Sequence, residues 1–323
     1  MPRTIEISHR TILFTLGVLL GGYLLFQIRD ILYLLFIAFI LQTAIRPFVD
    51  KLVMFRVPRV LAIILLYVVT IGLIGGVIGS VIPQIVSQSS HMIAELPAVA
   101  GRLLPSLNID IGSLTQEVAP FTQNVVRFGV EIFNNIITVV TIFVFTFYFL
   151  LGRNHLERTI STFVGKEETK KIVQILIDVE DKLGAWARGQ SILMLVIGIT
   201  TYIGLTLLRV DFALPLAVLA ALLEMVPMIG PIISAVPAIL VAVTISPFLG
   251  LSVAALYFVI QQLENHLIVP WIMKKSVGLS PILIIVSFMI GGRFEGVVGA
   301  ILAVPTVLVI QVIAGHYFAS KDS

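Results

Sequence analysis

Long runs of apolar residues, separated by short polar stretches, form the main pattern along this chain. A helix needs about 20 consecutive apolar residues to cross a membrane. By that measure the pattern predicts apolar helices at 11–28, 31–45, 60–82, 134–151, 190–208, 212–225, 231–245, 249–269, 281–290 and 296–318. The runs are continuous rather than alternating, which excludes an outer-membrane β-barrel. The sequence therefore predicts an all-α, polytopic helical membrane protein with about eight transmembrane spans.

The composition predicts the same class. Hydrophobic residues make up 58% of the 323 residues and charged residues 12%, with a mean hydropathy of +1.08. A soluble domain carries about 25% charged residues, so no soluble core could bury this much apolar surface. The net charge of +3 is too small to predict nucleic-acid binding. The chain contains no cysteine, which excludes disulfides, thiol catalysis and cysteine-based metal sites.

Basic residues mark one side of the predicted membrane. They concentrate near the N-terminus, in 46–59, in 152–189, and at Lys274 and Lys275. These four segments fall on the same side if each span crosses once, and the positive-inside rule makes that side the cytoplasm. Both termini are then cytoplasmic. The first run is too long for a signal-peptide core, so we expect it to remain as a span.

The order of apolar and polar stretches divides the chain into four regions. Residues 1–82 form an N-terminal scaffold of three spans, and 83–130 form an extracytoplasmic segment that we expect to be amphipathic, although a disordered loop is the alternative. Residues 131–189 hold the fourth span and a cytoplasmic amphipathic helix. Residues 190–323 form a C-terminal transport region.

Pro and Gly interrupt the apolar runs of this C-terminal region. The interruptions predict helix breaks at Pro227, Gly230, Pro237, Pro270, Pro281, Gly291, Gly292 and Pro305. Broken helices persist in a membrane only where protein or a water-filled cavity shelters them. The tripeptide Ala-Val-Pro occurs at both 235–237 and 303–305, either by coincidence or as a weak repeat. We therefore predict two helical hairpins, at 212–246 and 281–316, at least one of them re-entrant.

Carboxylates within these apolar runs are the first candidates for a transport site. Glu264 lies seven residues after Tyr257, so these residues, with Gln261 and Asn265, form one polar helix face. A buried carboxylate flanked by amides can exchange protons, coordinate Na⁺ or hydrogen-bond a polyol. Glu224 precedes the break at Pro227, where free carbonyls also suit a cation or a proton. The alternatives are that Glu264 only caps a neighbouring hairpin and that Glu224 is hydrated near the cytoplasm.

Two further charges lie in the turn between the last two runs. Arg293 and Glu295 stand among Gly291, Gly292 and Gly296. If the turn is re-entrant, Arg293 pairs with an acid inside the protein, such as Glu264; if it is external, the two charges are solvated. Second-rank candidates are Arg188, Gln190, Asp211 and Gln311.

Several motifs of the C-terminal half resemble a known family. They are Met-Val-Pro-Met-Ile-Gly-Pro at 225–231, Leu-Glu-Asn-His-Leu-Ile-Val-Pro at 263–270, Val-Gly-Leu-Ser-Pro at 277–281, and the stretch 291–305, which ends in Gly-Ala-Ile-Leu-Ala-Val-Pro. Together they are similar to the autoinducer-2 exporter family, also called the PerM-like permeases. The resemblance implies a multi-pass protein of the bacterial inner membrane that exports a small signalling solute, or exchanges Na⁺ or Li⁺ for H⁺ as other members do. It also implies a homo-oligomer, such as a pentamer.

Three functions remain open on these grounds. The first is a secondary transporter that exports a small polar solute, such as an autoinducer-2-like molecule, by alternating access. The second is a monovalent cation/proton antiporter that uses Glu264 and Glu224, and the third is a non-transporting membrane scaffold. The expected partners are the solute, a monovalent cation, protons, lipid and further copies of the chain. The sequence has no Walker A, His-Glu-x-x-His or Gly-x-Ser-x-Gly motif, so we predict neither an enzyme nor a cofactor or metal site.

Overall fold

The computed structural model describes residues 9–73, 75–76, 79, 135–227, 229–273 and 279–319. Regular structure in these ranges is entirely helical. In chain order the helices are α1 (His9–Gln27), α2 (Arg29–Met54), α3 (Arg59–Leu73), α4 (Ile136–Phe163), α5 (Lys166–Leu207), α6 (Ala213–Leu223), α7 (Ile229–Ile245), α8 (Pro247–Leu263), α9 (Val269–Met273) and α10 (Pro281–Ala319). The all-α prediction is confirmed. The predicted segment 83–130 lies outside the described residues.

Several helices have the length and composition of membrane spans. Four are long and apolar enough to cross a membrane: Arg29–Met54, Glu168–Leu207, Pro247–Ile272 and Ile282–Phe318. Shorter apolar helices accompany them, among them α3 and α6. Large apolar side chains stay exposed along these helices; Leu13 and Phe14 of α1 are 69% and 73% exposed. Contiguous apolar surface of this kind requires lipid or protein around it, so the chain is a polytopic membrane protein.

Helix α5 connects the parts of the molecule. With 42 residues it rises about 63 Å, because the predicted amphipathic helix and the following span are one continuous helix. Its first half packs against α2 and α10 in one apolar cluster, which includes Leu183 and Leu308. Its second half packs against α6, α7 and α8 in another, which includes Leu193 and Val253. Helices α2, α3 and α4 form a third cluster.

Side-chain contacts define the two ends of the molecule. Arg46, in the last third of α2, contacts Glu180, in the first half of α5, so the C-terminal part of α2 lies beside the N-terminal half of α5. We call this the basic-loop end, because the basic stretches 46–59 and 152–189 adjoin it. The opposite end, where α2 begins and Arg29 contacts Glu295 of α10, is called the Arg29 end.

Both predicted hairpins are present. Between α6 and α7 the chain reverses so tightly that a Cβ at Gly230 would clash with the carbonyl of Leu223. Helix α10 reverses at Glu295 and at Gly296, whose φ of +56° favours glycine. Its two halves, 281–294 and 297–319, then pack so closely that a Cβ at Gly291 would clash with the carbonyl of Gly299. That one of the hairpins is re-entrant stays a prediction.

Four of the predicted helix breaks are wrong. Helix α7 runs on through Pro237, and the second half of α10 runs on through Pro305. Proline removes one backbone donor, but its φ of about −65° suits a helix, so the surrounding turns keep the helix continuous. Gly291 and Gly292 are also helical, and the reversal comes at Gly296.

The other predicted breaks lie at or beside real ones. Pro227 is in the turn between α6 and α7, and Gly230 is in the first turn of α7. Pro281 begins α10, at a position where a missing N–H costs nothing. Pro270 follows a π-helical turn, Glu264–Ile268, that interrupts the helix between α8 and α9.

Candidate functional site

Glu224 occupies the tip of the hairpin between α6 and α7. Its backbone N–H closes the last turn of α6 by donating to Ala220 O at 3.0 Å. The side chain is 0% exposed, and neither carboxylate oxygen has a hydrogen-bond partner among the described residues. A buried polar group without a partner costs free energy, and a buried charge costs much more. Glu224 is therefore an acid that the described part of the protein leaves unsatisfied.

Gln190 of α5 holds this tip in place. The last carbonyls of a helix have no partner within the helix, and Gln190 Nε2 donates to the carbonyl oxygen of Glu224 at 2.7 Å. Gln190 is itself buried. Sequence reasoning ranked it second, and the structure places it in direct contact with the site.

Glu264 begins the π-helical turn after α8. Its side chain is 3% exposed, and Gln261 Nε2 donates to one carboxylate oxygen at 3.2 Å. The backbone N–H of Val269 donates to the Glu264 carbonyl, a five-residue step that widens the helix. Such π-turns are frequent at functional sites. The structure thus brings Gln261 and Glu264 together, as predicted.

The carboxyl groups of Glu224 and Glu264 come from different helices, and both side chains are buried. Neither forms an ion pair with a described Lys, Arg or His. Two carboxylates in apolar surroundings repel each other, and a proton or a monovalent cation between them relieves that repulsion. Chemically, the pair can hold a proton, coordinate a small cation or accept hydrogen bonds from a hydroxylated solute.

Two further buried hydroxyls lie on α5, which carries Gln190, and on α8, which ends next to Glu264. Thr201 of α5 and Tyr257 of α8 have no hydrogen-bond partner for Oγ1 and Oη among the described residues. Thr201 lies eleven residues after Gln190, three turns along the same helix face, and its neighbours Ile197 and Leu205 belong to the apolar cluster that contains Tyr257. Sequence reasoning missed Thr201; its register with Gln190 is the signal that could have found it.

Three predicted residues do not join this site. Asn265 is exposed, because one residue beyond Glu264 rotates the side chain about 100° away. Arg293 is exposed as well, so its predicted pairing with Glu264 is wrong. Glu295 instead pairs with Arg29 of α2 at 3.3 Å, because the reversal of α10 lies at the Arg29 end.

A second polar cluster lies between α2 and α5 at the basic-loop end. Glu180 of α5 is 6% exposed. It accepts from Arg46 Nη1 at 2.8 Å and from Gln42 Nε2 at 3.2 Å. A cavity of about 200 Å³ adjoins these groups, lined by Thr43, Arg46, Pro47, Asp50, Glu180, Asp181 and Arg188. Sequence reasoning missed Glu180, whose place beside the apolar face of the amphipathic stretch was the available signal.

Helix α10 is tied to α5 at the same end. Nε2 of His316 lies 2.7 Å from Oδ2 of Asp178, and Lys182 Nζ donates to Gln311 Oε1 at 3.0 Å. Together with the Arg29–Glu295 pair, these contacts hold the second half of α10 at both of its ends.

Comparison with known proteins agrees with this architecture. The family model described as AI-2E family transporter matches residues 11–319. YrrI of Bacillus subtilis strain 168, named for transport, is 26% identical over 312 residues, which cover 91% of this chain and 88% of YrrI. YueF of the same organism, also named for transport, is 28% identical over 309 residues, 88% of this chain and 83% of YueF.

A further relative carries a name with a substrate. TqsA of Escherichia coli K12, named AI-2 transport protein, is 24% identical over 291 residues, which cover 86% of this chain and 82% of TqsA. Because the family model covers nearly the whole chain, the protein belongs to the AI-2E transporter family.

Proposed function

We propose that the protein is a secondary transporter that exports a small polar solute through the C-terminal hairpins. The observation that carries this proposal is the buried carboxylate of Glu224 at the tip of a hairpin, which has no hydrogen-bond partner among the described residues. Ionisable groups buried in membrane proteins are costly and mark ion or solute pathways. A protein with a purely structural role would be expected to pair them, as it pairs Glu180.

The hairpin formed by α6 and α7 is the proposed re-entrant element. Helix α6 has 11 residues and rises about 16 Å, roughly half of a 30 Å hydrocarbon core. Its tip contacts Gln190, which lies ten residues, or about 15 Å, beyond Glu180 along α5, and both Glu224 and Gln190 are buried. The tip therefore ends inside the protein, where a solute can be handed from one side to the other.

Alternating access would then move the C-terminal hairpins against the scaffold of early helices. Contacts at the two ends of α10 are the proposed gates: Arg29–Glu295 at one end and Asp178–His316 at the other. Both pairs are partly exposed, so each can open at small cost. By the positive-inside rule the basic-loop end faces the cytoplasm of a bacterial inner membrane, with both termini inside.

An autoinducer-2-like molecule is the proposed solute. The name of TqsA supplies that substrate for a relative. Here the unpartnered hydroxyls of Thr201 and Tyr257, together with the carboxylates, offer hydrogen bonds to a hydroxylated solute. The second candidate is Na⁺(Li⁺)/H⁺ antiport, favoured by the same two carboxylates, which lack a cationic partner in the described part of the chain. We also propose a homo-oligomer, such as a pentamer, on the family resemblance.

Flux into proteoliposomes tests this function. An imposed pH gradient should drive uptake of a labelled polyol or of ²²Na⁺ by the wild-type protein. Replacing Glu224→Gln or Glu264→Gln removes a titratable charge, so each change should abolish the pH dependence of flux. Glu168→Gln is the matched control, because Glu168 is exposed and pairs with nearby Lys171. Folded protein without flux of either probe would overturn the proposal, and unchanged pH dependence in both variants would remove the carboxylates from it.

The orientation has its own test. A cysteine introduced at Ser113 should react with an impermeant maleimide in intact cells, and one at Ser276 should not; both positions lie outside the described residues. The reverse pattern would overturn the orientation.

A further inference from the structure

Helix α2 contains one backbone carbonyl that its own helix cannot satisfy. Pro47 lies inside α2. A carbonyl within an α-helix accepts from the N–H four residues later, and proline has no N–H. The carbonyl of Thr43 is therefore left without its helical donor, although Thr43 is buried. A buried carbonyl of this kind needs a donor from elsewhere.

Helix α5 supplies that donor. Arg188 Nη1 donates to Thr43 O at 3.0 Å. One turn earlier, Gly184 makes room for the approach, because a Cβ there would lie 2.7 Å from the same oxygen. The two helices are thus complementary at this contact. Pro47 leaves an acceptor on α2 without a donor, Gly184 leaves space beside it on α5, and Arg188 provides the charged donor.

Gln190 of α5 makes the same kind of hydrogen bond on the opposite face of the helix. It stands two residues after Arg188 and donates to the carbonyl that α6 leaves free at Glu224. Positions two apart on a helix point about 200° from each other. One short stretch of α5 therefore satisfies two free carbonyls, one in the N-terminal scaffold and one at the tip of the hairpin.

We propose that Arg188 is a positioning residue, which docks α2 on α5 through the carbonyl that Pro47 frees and so fixes the stretch of α5 that carries Gln190. Its effect on stability is independent of transport; its effect on flux rests on the proposed function. Arg46 does not share this role, since its guanidinium is bound by Glu180 and Asp50. Arg188 also lines the cavity between the two helices.

A rescue experiment tests this assignment. Arg188→Leu leaves the Thr43 carbonyl buried without a donor, and should lower the Tm of the purified protein by about 5 °C. Pro47→Ala restores an N–H to the helix, and this N–H can donate to the same carbonyl. The double variant Pro47→Ala/Arg188→Leu should therefore recover at least half of the lost Tm. If Arg188→Leu does not fold, recovery of folded yield in the double variant is the equivalent result.

Two control pairs make the rescue specific. Pro237→Ala also restores an N–H within a helix, but in α7, and should not rescue Arg188→Leu. Pro47→Ala should not rescue Arg46→Leu, because Arg46 binds carboxylates. Additive Tm changes in the double variant, failure of both single and double variants to fold, or equal rescue by Pro237→Ala would each overturn the proposal.

Flux measurements distinguish the positioning role of Arg188 from the proposed transport function. In proteoliposomes, the flux of whichever probe the wild-type protein transports should be at least tenfold lower for Arg188→Leu. The double variant Pro47→Ala/Arg188→Leu should restore this flux. Rescue of Tm without rescue of flux would overturn the positioning role and leave only a packing contact. If the wild-type protein transports neither probe, the proposed function fails, while the Tm rescue still decides the contact between Arg188 and Thr43.

Discussion

The protein buries carboxylates in two regions and treats them differently. Between α2 and α5, Glu180 is held by a guanidinium and an amide. At the hairpin tip Glu224 is buried at least as deeply, yet its oxygens have no hydrogen-bond partner among the described residues. Removing a charge from water is unfavourable unless hydrogen-bonding or oppositely charged partners compensate for the lost hydration. Under the proposed function, the first region stays in one arrangement and the second exchanges a proton, an ion or a solute.

The largest effect should come from disrupting the contacts of Glu180 between α2 and α5. Arg46→Leu removes the main cationic partner of Glu180 and leaves a buried charge with an amide contact, at a cost of about 3 kcal/mol. We expect a Tm lower by at least 6 °C for the purified protein, or loss of folded yield. The control is Arg46→Leu/Glu180→Leu, which removes both charges and should regain most of the stability. If the single variant is as stable as the wild type, Glu180 is not held as the distances indicate.

An intermediate effect should come from the hairpin tip. Gln190→Leu leaves the Glu224 carbonyl without its donor, which costs about 1–3 kcal/mol for a buried group. Because the tip then loses this hydrogen bond to α5, amide hydrogen exchange around residues 222–230 should accelerate by about tenfold or more. Ser191→Ala is the matched control, since Ser191 Oγ donates to the carbonyl of Ala187 in its own helix. Unchanged exchange at the tip would show that other contacts hold the hairpin.

The sequence predicted those features of the two regions that interrupt a regular run of apolar residues. Glu224 and Glu264 could be found because a carboxylate within an apolar run stands out, and the hairpins because Gly and Pro cluster between the runs. Glu180 could not be found in that way, because it stands in a stretch already rich in charge. Thr201 could not either, because a threonine in an apolar run is unremarkable until a partner is missing.

The errors have a common physical origin. Pro237 and Pro305 were predicted as breaks, yet a proline fits a helix when its neighbours pack well, and only the local packing decides. For Arg293 the sequence left an interior pair and a solvated charge both open, because the direction of a turn is not encoded in its charges. The φ of Gly296 sets that direction, and it carries Glu295 to Arg29.

The smallest effect should come from the Asp178–His316 contact at the basic-loop end of α10, which is an ion pair when His316 is protonated. Asp178 and His316 are joined at 2.7 Å but are 39% and 36% exposed, so solvent screens them and the pair contributes at most about 1 kcal/mol. Asp178→Asn should therefore change the Tm by less than about 3 °C, and this small difference should shrink further in 0.5 M NaCl, because exposed charges are screened by salt. If the pair is a gate, the same variant should still alter flux, since weakening a contact that closes one side changes how often that side opens. Glu168→Gln serves as the control for removing one exposed acid from α5. A large loss of stability in Asp178→Asn would place this contact with the rigid region between α2 and α5, and the hairpin would then have to move around a fixed α10.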